Sequence, residues 1–349
     1  MRQHGPRPRH SLPRVRDDFT WYDAERLIRY GAGALDDAPR LLQRRGFEGY
    51  ALLTTERAAA AAPALVKGAG VVLEVAPGPV PDAAARVRSE VDERPLVALG
   101  GGRVIDSAKG IGGADGLAVA AIPTTLSGAE MTRIHRMPAG VEEYRLVRPS
   151  LVIGDPAIMG SQPMPGIAAS AMNALAHASE ALYTPTANPA ADAAALSAAS
   201  LIARGLANDV PDRPPLALGG LLAGYAIGSA GIAVLHVLSQ TTVRETGAPH
   251  AGVYSVLLPH TLELMARRAP AAIGRLAKAL GAASEDPSQA APLAAKLAAR
   301  SGVTKLGEIG VQPESFEEIV RVALGRPELR HTPEPPGNRE LRNLLERAS

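Results

Sequence analysis

The chain has 349 residues, enough for two packed domains, and its 46% hydrophobic and 21% charged residues are the balance of a folded globular protein. With 37 Lys and Arg against 35 Asp and Glu, the formal charge of +2 gives no field that recruits nucleic acid or a membrane surface, so the expected partner is a small molecule. Cysteine is absent, which excludes disulfide frameworks, thiolate metal sites and a cysteine nucleophile and leaves histidine and carboxylate to carry the chemistry.

Residues 1–16 carry five arginines and three prolines and read as a disordered basic arm. They lack the apolar core of a secretory signal, so the expected location is the cytoplasm. Residues 17–155 alternate short apolar runs (YALLTT, VVLEVA, PLVALG, LAVAAIP, LVIGDP) with helical stretches, the pattern of βαβ units and a parallel sheet. Residues 156–349 read as a helical domain, with helical spacing through Ala168–Tyr183, Ala190–Ala203, Leu216–Val243 and Val253–Ala266. Within it, Leu216 to Leu238 is uncharged and long enough for the ~20 residues that cross a bilayer. Its many glycines and His236 point instead to a helix buried on all sides. From Pro270 onward, further amphipathic helices are broken at Glu285-Asp286-Pro287 and at HTPEPPGN. The chemistry is expected at the junction of the two domains.

Gly100, Gly101 and Gly102 follow a strand and precede a helix, where backbone N–H groups and the helix dipole favour a diphosphate. Asp106 and Lys109 follow one turn on, and AIPTTLSGAEMT comes after the next strand. The run GGG-x-x-x-D-x-A-K followed by PTT-x-x-G-x-E resembles the cofactor site of the iron-type alcohol dehydrogenases. That resemblance implies an amino-terminal Rossmann-like nucleotide domain followed by a helical domain, the dehydroquinate synthase-like fold. It implies NADH or NADPH held by Gly100, Gly101, Gly102, Asp106, Lys109, Thr124, Thr125 and Ser127, with Thr54 at the end of an earlier strand. No acid is read near Thr54 and Thr55 to reject a 2′-phosphate, which leaves NADPH open. Arg103 stands where the family usually has serine.

Asn173 and His177 are four apart on one helical face, with Glu180 near it, while His236 and His250 follow fourteen residues apart. Metal-binding relatives carry Asp where Asn173 stands, and S-x-M-N-A-x-A-H-A-x-E-A-L-Y resembles the maleylacetate reductase branch instead. Gln240 replaces a histidine that many relatives carry one turn after the first. The resemblance implies a homodimeric enzyme of aromatic-compound catabolism that reduces an unsaturated keto-acid such as maleylacetate to a 3-oxoadipate-type product. An amide is a poor substitute for the anionic ligand of Fe²⁺, so the expected site binds no metal. His177, His236 and His250 then donate hydrogen bonds or protons, and Asn173 orients the substrate or its oxyanion. If a metal is bound, Asn173, His177, His236 and His250 are its ligands. Arg133 and His135, with Arg136, are candidates for binding substrate carboxylates. A metal-dependent alcohol or aldehyde dehydrogenase, and a member diverted to non-redox work, are the alternatives.

Overall fold

The computed structural model describes residues 18–349, so the basic arm lies outside the described residues. Seven strands form one sheet: β1 (Phe19–Asp23), β2 (Arg26–Tyr30), β3 (Ala51–Thr54), β4 (Val71–Glu74), β5 (Leu96–Gly100), β6 (Val119–Pro123) and β7 (Leu151–Gly154). Their spatial order is β1-β2-β7-β6-β5-β3-β4, with β1 and β2 an antiparallel edge hairpin and the remaining pairs parallel. The opening run FTWYDAERLIRY is thus two strands, hinged at Ala24 with φ 53°.

The central strands β3, β5, β6 and β7 are buried throughout, as expected when helices cover both faces. Side chains alternate between two cores. Leu52, Val97, Leu99, Ala120 and Ile122 pack with Leu41, Leu42 and Phe47 on one face. Ala51, Leu53, Leu96, Ala98 and Ala121 pack with Val87, Ile105 and Ile111 on the other. From β5 the chain proceeds to β6 and β7 on one side, whereas β3 and β4 lie on the other. The crevice beyond the carboxyl ends of β5 and β3 is therefore a switch point, where such sheets bind ligands.

After β7 the structure is helical. The helix Met164–Ala181 is buried along most of its length and is the centre of the largest hydrophobic core. The long helix expected through Leu216–Val243 is two helices, Arg213–Ala230 and Val234–Thr246, bent by 104°. Gly231 makes the break at φ +78°, a conformation that disfavours a side chain. The carbonyl freed there, on Ala230, accepts hydrogen bonds from the Thr184 and Thr186 hydroxyls. Among the described residues no single helix is long and apolar enough to cross a membrane.

Candidate active site

The two cofactor motifs face each other across a space too narrow for side chains. A Cβ on Gly101 would lie 3.1 Å from Thr125, one on Gly102 3.1 Å from Ser127, and one on Gly100 2.6 Å from Val104. Gly101 caps the helix Gly102–Asp115, whose first turn holds no acid, so its N–H groups are presented without competition from a carboxylate. Thr124 donates its backbone N–H to Gly100, which ties β6 to the glycine loop. Gly100, Gly101, Gly102, Thr125 and Ser127 thus line one crevice, with Thr124 buried behind it.

Other expected cofactor residues have structural work. The Thr54 hydroxyl is buried and donates to Leu99 O at 2.9 Å, joining β3 to β5. The Lys109 ammonium has no exposure. It lies 2.7 Å from Asp106 and donates to Ala129 O, Thr132 and Ile134 O, so it pins the loop that follows the threonine motif. Asp106 serves as the counter-ion. Lys109 has no N–H left for the cofactor, and the Thr54 hydroxyl has spent its hydrogen. Conversely, an acid does stand at the end of β3: Glu56, exposed, opens the helix capped by Thr55.

His135 is also structural. Its Nε2 accepts from Val147 N at 3.1 Å, so Nδ1 carries the hydrogen that points to Arg136 O at 3.2 Å. Burial, with Lys109 nearby, lowers its pKa and keeps the ring neutral. A neutral ring with both nitrogens engaged binds no substrate carboxylate. Arg133 and Arg136, on the same loop, are exposed.

The histidines do converge. The rings of His177 and His236 stack at 4.8 Å with an interplanar angle of 15°, and Tyr254 packs against His236 at 4.9 Å and His250 at 4.8 Å. Glu180, completely buried, accepts the backbone N–H groups of Ala233, Leu235 and His236 and meets His236 Nδ1 at 2.6 Å. The carboxylate therefore caps the His236 helix and fixes the tautomer, leaving Nε2 buried and unpartnered. His177 is held neutral by burial and by its histidine neighbours, which push its pKa well down. The protein mass around His250, then His236, pushes its pKa to about 4, although the ring keeps solvent contact that tempers this shift. His236 alone of the three has a carboxylate as counter-charge for a second proton.

Asn173 reaches toward the cofactor motif, its Nδ2 donating a long hydrogen bond of 3.5 Å to Ser127 O. Its Oδ1 is buried and unpartnered, open to an incoming N–H, while the second hydrogen of Nδ2 stays available as a donor. The two halves touch directly at this seam: a Cβ on Gly224, in the helix Arg213–Ala230, would stand 2.7 Å from Gly128 Cα. A Cβ on Gly128 would in turn lie 3.1 Å from His177 Nδ1. Close by in the chain, Glu130 is buried with neither carboxylate oxygen hydrogen-bonded. Burial raises its pKa to about 7 against the pull of Lys109 and Arg26.

These donors fit a divalent cation poorly. No three His, Asp or Glu side chains among the described residues form a group able to hold a metal ion. With Asn173 neutral, the one nearby carboxylate, Glu180, is taken up by three backbone N–H groups and His236.

Residues 167–349 match the Fe-containing alcohol dehydrogenase family, C-terminal, and residues 29–132 match Iron-containing alcohol dehydrogenase. A maleylacetate reductase from Burkholderia cepacia is 32% identical over 91% of this chain and 94% of its own length. The crystal structure of maleylacetate reductase from Agrobacterium tumefaciens superposes with a TM-score of 0.79 at 27% identity, covering 96% of this chain and 98% of that one. A putative alcohol dehydrogenase from Ralstonia eutropha superposes at 0.81 with 30% identity, covering 97% and 98%. The parallel sheet with its opposed glycine and threonine loops, the helical half with its histidines, and these matches agree: the chain belongs to the iron-containing alcohol dehydrogenase family and is an oxidoreductase.

Proposed function

We propose that the protein is an NAD(P)H-dependent reductase of an unsaturated keto-diacid of the maleylacetate type, yielding a 3-oxoadipate-type product without a metal. The observation that carries this reading is the His177–His236–His250 cluster, with His236 oriented by Glu180, beside a nucleotide crevice and lacking a carboxylate at Asn173. The similarity to maleylacetate reductases over nearly the whole chain supports the choice of substrate. A bound NADH or NADPH supplies the hydride, which adds to the alkene carbon β to the ketone.

The double-bond electron pair then moves onto the ketone oxygen as an enolate, and a proton completes the carbon α to the ketone. The chain has to hold the developing oxyanion and deliver that proton. A neutral His177 donates through whichever ring nitrogen carries its hydrogen, and a protonated His236 donates from Nε2 while Glu180 balances its charge. Asn173 Oδ1 accepts an N–H from the cofactor's carboxamide. Glu56, at the end of β3, accepts from a ribose hydroxyl and favours NADH.

The test is NAD(P)H oxidation with maleylacetate, with 3-oxoadipate identified as the product. His236→Ala is expected to retain cofactor affinity and lose on the order of 10²-fold or more in turnover. Oxidation of simple alcohols with no reduction of maleylacetate would replace this reading with that of an alcohol dehydrogenase.

A further inference from the structure

A keto-diacid needs cations as well as proton donors, and the histidine cluster contains none that is permanent. Gln240 sits one turn beyond His236 on the same helix, so both side chains share a face. Its Oε1 accepts from Arg326 Nη1 at 2.8 Å, across 86 residues of chain. Burial and Glu180 push the pKa of Tyr254, whose ring covers His236 and His250, well up, and the nearby Arg326 charge and Gln240 amide pull the other way. The guanidinium is thus held by the helix that carries His236, one turn beyond that ring.

Glu328 fixes its orientation, accepting from Nε at 3.3 Å and from Nη2 at 3.1 Å. With Gln240 this engages three of the five guanidinium N–H groups and leaves two for a ligand. Burial pushes the Glu328 carboxyl up, but Arg326 and the charge of the exposed Arg136 more than offset it and hold it below the usual range. Arg136 comes from the loop pinned by Lys109, on the cofactor side. Arg326 pairs with Glu328 directly, at 3.1 Å, and Arg136 adds positive charge from the cofactor-side loop.

We propose that Arg326, oriented by Gln240 and Glu328 and assisted by Arg136, binds the substrate carboxylate remote from the enolate oxygen. The proposal rests on the keto-diacid reading of this same site. It makes Gln240 a positioning residue: an amide where a histidine stands in many relatives accepts from a guanidinium without titrating.

The test is calorimetric titration of the full chain, in the presence of NADH, with adipate, a diacid that has neither double bond nor ketone. Arg326→Gln is expected to weaken adipate roughly tenfold or more, and Arg136→Gln less. Glu328→Gln removes the competing carboxylate and is expected to tighten adipate, a gain that damage to the fold does not produce. NADH affinity, read in the same samples, stays unchanged in all three.

Adipate affinity indifferent to Arg326→Gln and Glu328→Gln, or no adipate binding by the unaltered protein, overturns the proposal. Adipate binding of the expected pattern without maleylacetate turnover keeps the subsite and removes the substrate assignment. Turnover with indifferent adipate affinity does the reverse.

Discussion

Glu180 Oε2 lies 2.6 Å from His236 Nδ1, and the same carboxylate accepts three backbone N–H groups at the start of the His236 helix. One buried anion thereby fixes both the position of the helix and the tautomer of its histidine. Glu180→Gln keeps the size but places an NH₂ group among donors. We expect turnover to fall by on the order of 10²-fold or more with NADH affinity retained, and stability to fall by about 1–3 kcal/mol. A pH profile of kcat that changes shape along with this loss identifies the role as positioning of the His236 ring. A loss that is uniform at every pH would reduce Glu180 to a helix cap.

The metal question turns on one atom. Protein purified without chelators is expected to hold well under one equivalent of iron or zinc. Asn173→Asp restores an anion beside His177 and is expected to raise the metal content measured by elemental analysis. One full equivalent in the unaltered protein would sink the metal-free reading.

Glu130 links stability to pH. Burial raises its carboxyl to about 7 from its usual 4.5, so the folded state holds a proton that the unfolded state releases across that interval. Its contribution is complete below the lower value and is lost as pH rises through about 7, on the order of 3 kcal/mol in total. Buried neutral His177 pulls in the opposite direction, since its lowered pKa contributes stability that falls away on acidification. The difference between the unaltered protein and Glu130→Gln isolates the carboxyl. Denaturation midpoints of the two should agree at acid pH and separate above about neutral pH, with Glu130→Gln the more stable there, and parallel curves would refute a buried titrating Glu130.

Glu56, exposed at the first position of the helix after β3, is the residue proposed above to set cofactor choice. A carboxylate there repels a 2′-phosphate, so NADH is expected to bind more tightly than NADPH. Glu56→Gln should narrow the ratio by roughly tenfold, about 1.4 kcal/mol, through the NADPH term. An unaltered ratio places the ribose elsewhere.

Gly224→Ala forces a Cβ to within 2.7 Å of Gly128 Cα, where the neighbour is backbone and no rotamer relieves the contact. The expected cost is about 1–3 kcal/mol of stability, with a lower turnover as His177 and the threonine loop are pushed apart. Thermal melts and steady-state rates measure the two effects separately.

The parallel sheet and glycine loop were legible because their signals are local: Gly100 to Gly102 lie between a strand and a helix that each announce themselves by apolar pattern. The three histidines were legible jointly, through spacing and resemblance. What was hidden is long-range. Glu180 and His236 are separated by 56 residues, and Gln240 and Arg326 by 86, so no window of sequence holds either pair. Thr54, Lys109 and His135 show the converse. Residue type announces a donor or an acceptor, but only the fold reveals that Leu99, Ile134 and Val147 already engage it. Likewise the bend at Gly231 lay in a run that holds Gly219, Gly220, Gly224 and Gly228 before it, any of which could have been the break.

The contact of Gly224 with Gly128 carries a mechanical meaning. With no side chain between them, two backbones touch where the cofactor motif meets the helical half, and Lys109 anchors the same loop from behind. The approach of the cofactor motif to the helical half is then set at this point by main chain, with no side chain between the two to give. Any opening that admits substrate has to swing about this seam as its fulcrum and not slide through it.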